Sequence, residues 1–246
     1  MVRVTVLGSG DAFGSGGRFH SAHLVEAPGV AFLLDCGPSV LQALKRSGRD
    51  PARLDFVLIS HLHGDHFGGL PFLFLEYRYA QPRTRPLTLA GPPGLEPRVG
   101  RLFEALYQRI AATESPFPIV YDVLEDGGGP HDIQGVRIEA FVVPHVEDLT
   151  CFAYRVTVGG KTILFSGDSG WTDDFLELAK GVDLFLCECS SFDSSMPIHV
   201  AYTEVAARAR QLGCKRLVLT HLGQDVIDRA DQLSLECAHD GLTIEL

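Results

Sequence analysis

Ser60-His61-Leu62-His63-Gly64-Asp65-His66-Phe67-Gly68-Gly69-Leu70 follows directly on the apolar run Phe56-Val57-Leu58-Ile59. Three imidazoles and a carboxylate fall within six residues at the end of an apolar strand, and that density of ligand-type side chains makes a metal site the first hypothesis. Side chains alternate in direction along an extended chain, so His61 and His63 leave on one side and a single ion can take both. Gly64 then allows a sharp turn, which directs Asp65 and His66 towards a second ion nearby. Imidazole mixed with carboxylate suits zinc, manganese or iron(II) and is unlike a thiolate-rich structural zinc site. A lone histidine at a strand end is ordinarily a hydrogen-bonded structural residue. Four ligand types spaced H-x-H-x-D-H are not explained that way.

The chain around this stretch has 246 residues, enough for one large α/β domain over 1–246 and short for two. No apolar run approaches the roughly 20 residues needed to span a bilayer, so no membrane partner is expected. Met1-Val2-Arg3-Val4-Thr5-Val6-Leu7 reads as a first strand and has no signal-peptide pattern, which gives a cytoplasmic expectation. Cys36, Cys151, Cys187, Cys189, Cys214 and Cys237 are scattered through apolar segments without disulfide-framework spacing, and Cys187-Glu188-Cys189 reads as buried thiols at a strand end. The formal charge of −10 argues against a broad basic groove for nucleic acid. An anionic substrate would have to be drawn by the metals themselves.

Strand and helix signals alternate along the chain. Strands are expected at Ala22 to Glu26 and Ala31 to Asp35 across the Pro28-Gly29 turn, with Ser39 capping a helix to about Ser47. After the histidine-rich stretch, Gly68 to Tyr79 reads as a buried helix, Leu87 to Ala90 as a strand and Leu95 to Ile110 as a helix. The segment from Ala111 to Pro130 carries no clear periodicity and is a candidate lid or partner contact. Val136 to Val143 alternates as a strand, and Cys151 to Val158 pairs with Lys161 to Phe165 across Gly159-Gly160. A helix over Thr172 to Lys180, a buried strand to Cys187, a helix ending near Leu212-Gly213, and the strand Arg216 to Thr220 follow. A last helix, Val226 to Ala238, and the strand Leu242 to Leu246 complete the reading. The glycine-rich loop Gly8 to Arg18 lacks the periodic helix that a dinucleotide cradle needs and reads as a flexible loop at an active-site rim. His20 and His23 have no ligand-like spacing and read as structural. Valine-, isoleucine- and leucine-rich strands alternating with helices make the fold class α/β.

His61-Leu62-His63-Gly64-Asp65-His66 resembles the signature of the metallo-β-lactamase-fold hydrolases, and Leu70-Pro71 resembles their ribonuclease Z branch. Further likenesses run along nearly the whole chain: Val143-Pro144-His145, Ser166-Gly167-Asp168-Ser169 and Leu219-Thr220-His221. The resemblance implies an αββα sandwich with the metals at one edge. It implies His61, His63 and His145 on a first metal ion, Asp65, His66 and His221 on a second, and Asp168 bridging both. Asp35 would orient a metal-binding histidine, and His199 resembles the catalytic histidine of related phosphodiesterases, although its spacing departs from the H-S-T pattern of ribonuclease Z; Glu188, at the end of its strand, is a candidate for no more than a supporting role. The resemblance also implies a homodimer.

Two divalent ions, zinc foremost with manganese or iron as alternatives, would activate water and clamp the charge on a phosphorane, with Asp65 accepting a proton and His199 assisting the leaving oxygen. Phosphodiester hydrolysis is therefore the expected reaction. Between His145 and Asp168 the chain has residues for little more than one hairpin, where ribonuclease Z carries a long tRNA-gripping insertion. A small cyclic, nucleotide or phosphonate-derived diester is expected in place of tRNA 3′ processing. The competing expectations are a β-lactam or thioester hydrolase, a catalytically silent metal-binding or interaction protein, and a dioxygen-reducing di-iron protein.

Overall fold

The computed structural model describes every residue except Gly128 and Ser195. Its strands are β1 (Arg3–Gly8), β2 (Ala22–Ala27), β3 (Val30–Leu34), β4 (Phe56–Leu58), β5 (Leu87–Gly91), β6 (Ile119–Val123), β7 (His131–Ile133), β8 (Val136–Val142), β9 (Phe152–Val158), β10 (Lys161–Phe165), β11 (Leu184–Glu188), β12 (Leu217–Thr220), β13 (Glu236–Cys237) and β14 (Thr243–Glu245). They form two sheets, ordered β14-β1-β2-β3-β4-β5-β6 and β13-β12-β11-β10-β9-β8-β7. The helices are α1 (Val40–Arg46), α2 (Gly64–Phe67), α3 (Leu70–Leu75), α4 (Leu95–Ala111), α5 (Asp174–Leu178), α6 (Tyr202–Leu212) and α7 (Gln224–Ile227).

Side chains alternate along each apolar strand, so each buries both faces, against different partners. Phe32 and Leu34 of β3, Phe56 and Leu58 of β4, and Leu184 and Leu186 of β11 point between the sheets. Leu33, Val57 and Ile59 face outward onto α1, α3 and α4, through Val40, Leu44, Leu73 and Leu95. Phe185, Cys187 and Leu219 of the other sheet are covered by Phe175 of α5 and by Val205 and Leu212 of α6. The layers are thus α, β, β, α, as the sequence resemblance implies. No helix among the described residues is long and apolar enough to cross a membrane.

Several local readings are corrected. Val226 to Ala238 is not a helix: after α7 comes a short 3₁₀ turn, Ala230–Gln232, and then β13, parallel to β12. Leu233, Leu235 and Cys237 all pack on the outer core of that sheet, a period of two that suits a strand and defeats a helix. The helix expected over Gly68 to Tyr79 begins at Leu70 and gives way to a wide π turn at Glu76–Ala80. Ser39 makes no capping bond to α1, because its hydroxyl accepts the His20 N–H at 2.9 Å. The segment after Ala111 contains β6, an edge strand whose Ile119 and Tyr121 pack inward while Val120 and Val123 stay exposed.

Connectivity decides where chemistry can occur. β8, β10, β11 and β12 run in one direction, so the loops after all four emerge at the same edge of their sheet. The loops after β3 and β4 meet them there, since Phe152 N–H donates to the Ser60 carbonyl at 3.0 Å and the Tyr154 hydroxyl to the Ile59 carbonyl at 2.7 Å. Carboxyl ends of strands are where open α/β sheets place their ligands.

Candidate metal centre

Every ligand-type residue named from the sequence arrives at that edge. His61 and His63 come from the loop after β4, His145 from the loop after β8, Asp168 after β10 and His221 after β12. Ring nitrogens and carboxylate oxygens of His61, His63, His145 and Asp168 all lie within 4.8 Å of one another, and so do those of Asp65, His66, Asp168 and His221. Asp168 is common to the two groups. His61 Nε2 is 3.1 Å from His63 Nδ1, which is 3.2 Å from His145 Nε2. Nitrogens about 2.05 Å from one tetrahedral zinc ion would be roughly 3.3 Å apart, so the spacing fits a common ion. The turn that redirects the chain after His63 differs from the expectation: Gly64 opens the short helix α2 without a positive φ, so helix initiation, not glycine's freedom, turns Asp65 and His66 towards the second group.

Distal hydrogen bonds fix which nitrogen faces inward. The Ser60 hydroxyl donates to Asp35 Oδ2 at 2.9 Å, so its oxygen accepts from His61 Nδ1 at 3.0 Å. His66 Nδ1 donates to the same Asp35 oxygen at 2.6 Å. His145 Nδ1 donates to the Ile198 carbonyl at 2.7 Å. The Ser190 hydroxyl donates to Glu188 Oε2 at 2.8 Å, leaving its oxygen to accept from His221 Nδ1 at 2.9 Å. In all four rings Nε2 is left as the nitrogen that faces inward. Asp35, expected from the resemblance, is the hub for two of them; Ser60, Ser190 and the Ile198 carbonyl escaped the sequence reading, because hydrogen-bond partners so distant in the chain leave no spacing signal.

A cation fits this arrangement on the structure's own terms. His66 Nε2 and Asp168 Oδ1 are buried without a hydrogen-bond partner although they lie 3.1 Å apart, a costly state for two polar atoms unless something charged joins them. The electrostatics agree. Burial opposes a charged His221, yet Asp168 and Asp65 together lift it to about 9. Burial likewise opposes a charged His66, and Asp168, Asp35 and Asp65 still hold it well above the usual imidazole range. Burial also works against ionised Asp65 and Asp168; the histidines outweigh it and keep both carboxyls below the ordinary range. These carboxylates demand positive charge between them. At the other group burial, reinforced by its imidazole neighbours, keeps His61 and His63 below the usual range, hence neutral and ready to donate lone pairs.

Strain concentrates here too. Asp35 and His221 both adopt left-handed backbone, with φ of 59° and 53°. Such a residue costs about 1–3 kcal/mol, while each fully buried leucine contributes about 1.5–3 kcal/mol. Leu34 before Asp35, and Leu219 and Leu222 around His221, are all buried, so the flanking core outweighs the strain. Replacing Asp35 with asparagine keeps the shape and tolerates the same backbone, but its NH2 must oppose a donor, either the Ser60 N–H that Oδ1 accepts at 2.7 Å or the Ser60 hydroxyl and His66 Nδ1 on Oδ2. The Asp35→Asn variant is expected to fold and to lose about 10- to 100-fold in metal affinity, measured by competition against a chelator. Unchanged affinity would remove Asp35 from the account.

His199 sits beside the centre, its ring 4.9 Å from that of His145 and stacked 5.8 Å from that of His221. Its Nδ1 donates to Glu188 Oε1 at 2.8 Å. Burial opposes its charge, but Glu188 outweighs this and holds the imidazole above its usual range. Glu188, His199 and His221 also form a third compact group of ligand-type atoms. His20 and His23 are outside all three groups, and the cysteines are free thiols, Cys187 and Cys189 being buried.

The family described as anti-Pycsar protein Apyc1 matches residues 2–236. The chain belongs to that family. A relative of this Apyc1-family chain, the uncharacterized protein Rv1339 of Mycobacterium tuberculosis, is 36% identical over 248 residues, covering 93% of this chain and 85% of its own length. Human tRNase Z, short form (ELAC1), superposes with a TM-score of 0.79 at 28% identity, covering 99% of this chain and 98% of its own. The metallo-β-lactamase fold protein YhfI of Bacillus subtilis gives a TM-score of 0.78 at 24% identity with both chains fully covered, which bears out the fold. The Apyc1-family chain thus shares its architecture with the ribonuclease Z branch, without a long insertion between His145 and Asp168, where only a loop and the β9–β10 hairpin stand.

Proposed function

We propose that this protein is a dinuclear metal-dependent phosphodiesterase acting on small cyclic or nucleotide diesters. The observation that carries the proposal is Asp168, a buried carboxylate common to two groups of inward-facing imidazole nitrogens. In this reading His61, His63 and His145 hold one ion and Asp65, His66 and His221 the other, with Asp168 between them. Zinc suits these ligands best, and manganese or iron(II) would also fit. When bound, such a pair of ions lowers the pKa of water and neutralises phosphoryl oxygens.

The protein's own groups divide the proton work. Asp65, whose carboxylate lies 3.1 Å from His66 Nε2 and 3.3 Å from His221 Nε2, accepts a proton from the attacking water. The water oxygen forms the new bond to phosphorus as the ester P–O bond breaks. His199, whose bond to Glu188 favours its charged form, gives its Nε2 proton, when protonated, to the departing alkoxide. Glu188 is itself fixed by the Ser169 N–H at 2.7 Å and the Ser190 hydroxyl at 2.8 Å, so it positions His199 and does not touch the substrate.

The likeness to a tRNase by name supports phosphodiester chemistry and gives tRNA 3′ processing as a second reading. The formal charge of −10 and the short connection from His145 to Asp168 weigh towards a compact substrate. Metal-reconstituted protein should be assayed against 3′,5′-cyclic nucleotides, bis(p-nitrophenyl) phosphate, a 3′-extended tRNA, nitrocefin and S-lactoylglutathione. Turnover of the cyclic nucleotides is expected. Activity confined to nitrocefin or the thioester, or full metal loading with no turnover at all, would refute the proposal.

A further inference from the structure

The geometry points to Phe13 as a platform on which the base of a nucleotide diester stacks, an inference that rests on the diesterase reading above. Phe13 is 91% exposed, the most exposed of the large hydrophobic side chains, yet the loop that presents it is tightly tied. At the loop's base Gly10 N–H donates to the Phe19 carbonyl at 2.9 Å, and Asp240 accepts from both Ser9 N–H and Phe19 N–H, closing the two ends together. Inside it the buried Asp11 carboxylate takes the N–H groups of Phe13 and Ser15 at 3.1 and 3.0 Å and the Ser15 hydroxyl at 2.8 Å. The flexible loop read from the glycines is therefore a braced one that holds a phenyl ring out of contact with its own chain.

Its position gives that exposure a use. Gly10 bridges to Leu222, the residue after His221, and Leu222 N–H donates to the Ser9 carbonyl at 2.9 Å. Gly16 N–H reaches Gln224 at 2.8 Å. On the far side the loop runs into His20, whose Cβ lies 2.7 Å from where a side chain on Gly37 would start, with the Asp65 carbonyl 2.4 Å from the same point. The loop is thus tied to the segment that follows His221, its exit at His20 lies by Gly37 and the Asp65 carbonyl, and Phe13, three residues from Gly10, lies within about 11 Å of Gly10 along the chain. In this inference the nucleoside of a phosphate held at the centre extends to this rim, beside the residue that follows His221. A braced aromatic face gives a base a stacking partner without an ordering cost, and it needs no hydrogen-bond readout.

Phe13→Ala, Phe13→Trp and wild type should be compared on a 3′,5′-cyclic nucleotide and on the same cyclic phosphate lacking the base. Phe13→Ala is expected to raise KM for the nucleotide about tenfold with kcat little changed, to leave the abasic substrate unaffected, and to be rescued by Phe13→Trp. An unchanged KM, or an equal rise with the abasic substrate, overturns the platform. A changed mass in light scattering with KM unaltered would assign Phe13 to a contact between copies and overturn it as well. Wild type that turns over no nucleotide diester would instead sink the diesterase reading, and the platform with it.

Discussion

Asp168→Ala is expected to lower diester turnover by about 1,000-fold or more and to strip metal from the protein. Losing a single group that only orients a ligand costs about 10- to 100-fold, and losing one donor to a developing charge costs about 100- to 1,000-fold. Asp168 faces both groups at once: its Oδ1 is 3.1 Å from His66 Nε2, and its Oδ2 is 3.4 Å from His221 Nε2 and 3.8 Å from His61 Nε2. Alanine therefore removes the side chain common to the two proposed ion positions. Asp168→Asn is the control for folding, since it keeps the volume while halving the acceptor capacity. Circular dichroism should show both variants folded, with steady-state kinetics and metal analysis showing the loss. A folded, metal-poor Asp168→Ala protein with near-wild-type turnover would contradict the role assigned to this carboxylate.

The second large effect is expected at His199, and it depends on the leaving group. Proton donation to a departing oxygen contributes about 100- to 10,000-fold when the oxygen is a poor leaving group. His199→Ala should then lower kcat for a cyclic nucleotide, which expels a ribose alkoxide, by at least about 100-fold. With bis(p-nitrophenyl) phosphate the departing phenolate needs no proton, and the loss should be within about tenfold. Metal content should not change. Equal losses on both substrates accompanied by falling metal content would make His199 a ligand, through the group it forms with Glu188 and His221, and not an acid.

Much of this was legible in the chain because a few of its signals are local. His61, His63, Asp65 and His66 lie within one loop, and Pro144-His145, Gly167-Asp168 and Thr220-His221 each close a strand whose alternation is plain. What the sequence hides is set by distant neighbours. That Asp35 takes hydrogen bonds from both Ser60 and His66 follows from β3 pairing with β4 and not from spacing. That Asp35 and His221 would be left-handed could not be read from residue type alone, because aspartate and histidine adopt that backbone more often than most residues but only at a few positions. The missed strands, β6, β7 and β13, are edge strands: only one neighbour fixes each of them, and their short alternation is easily lost among polar residues. For β13 the signal was present in Leu233, Leu235 and Cys237, but the helical look of Val226 and Ile227 masked it.

The central claim is that two ions share Asp168. Anomalous diffraction at the absorption edge of the loaded metal tests it most directly. Two peaks are expected, one enclosed by His61, His63 and His145 and the other by Asp65, His66 and His221, each in contact with Asp168. A single peak away from Asp168, or one seated only among Glu188, His199 and His221, would contradict it.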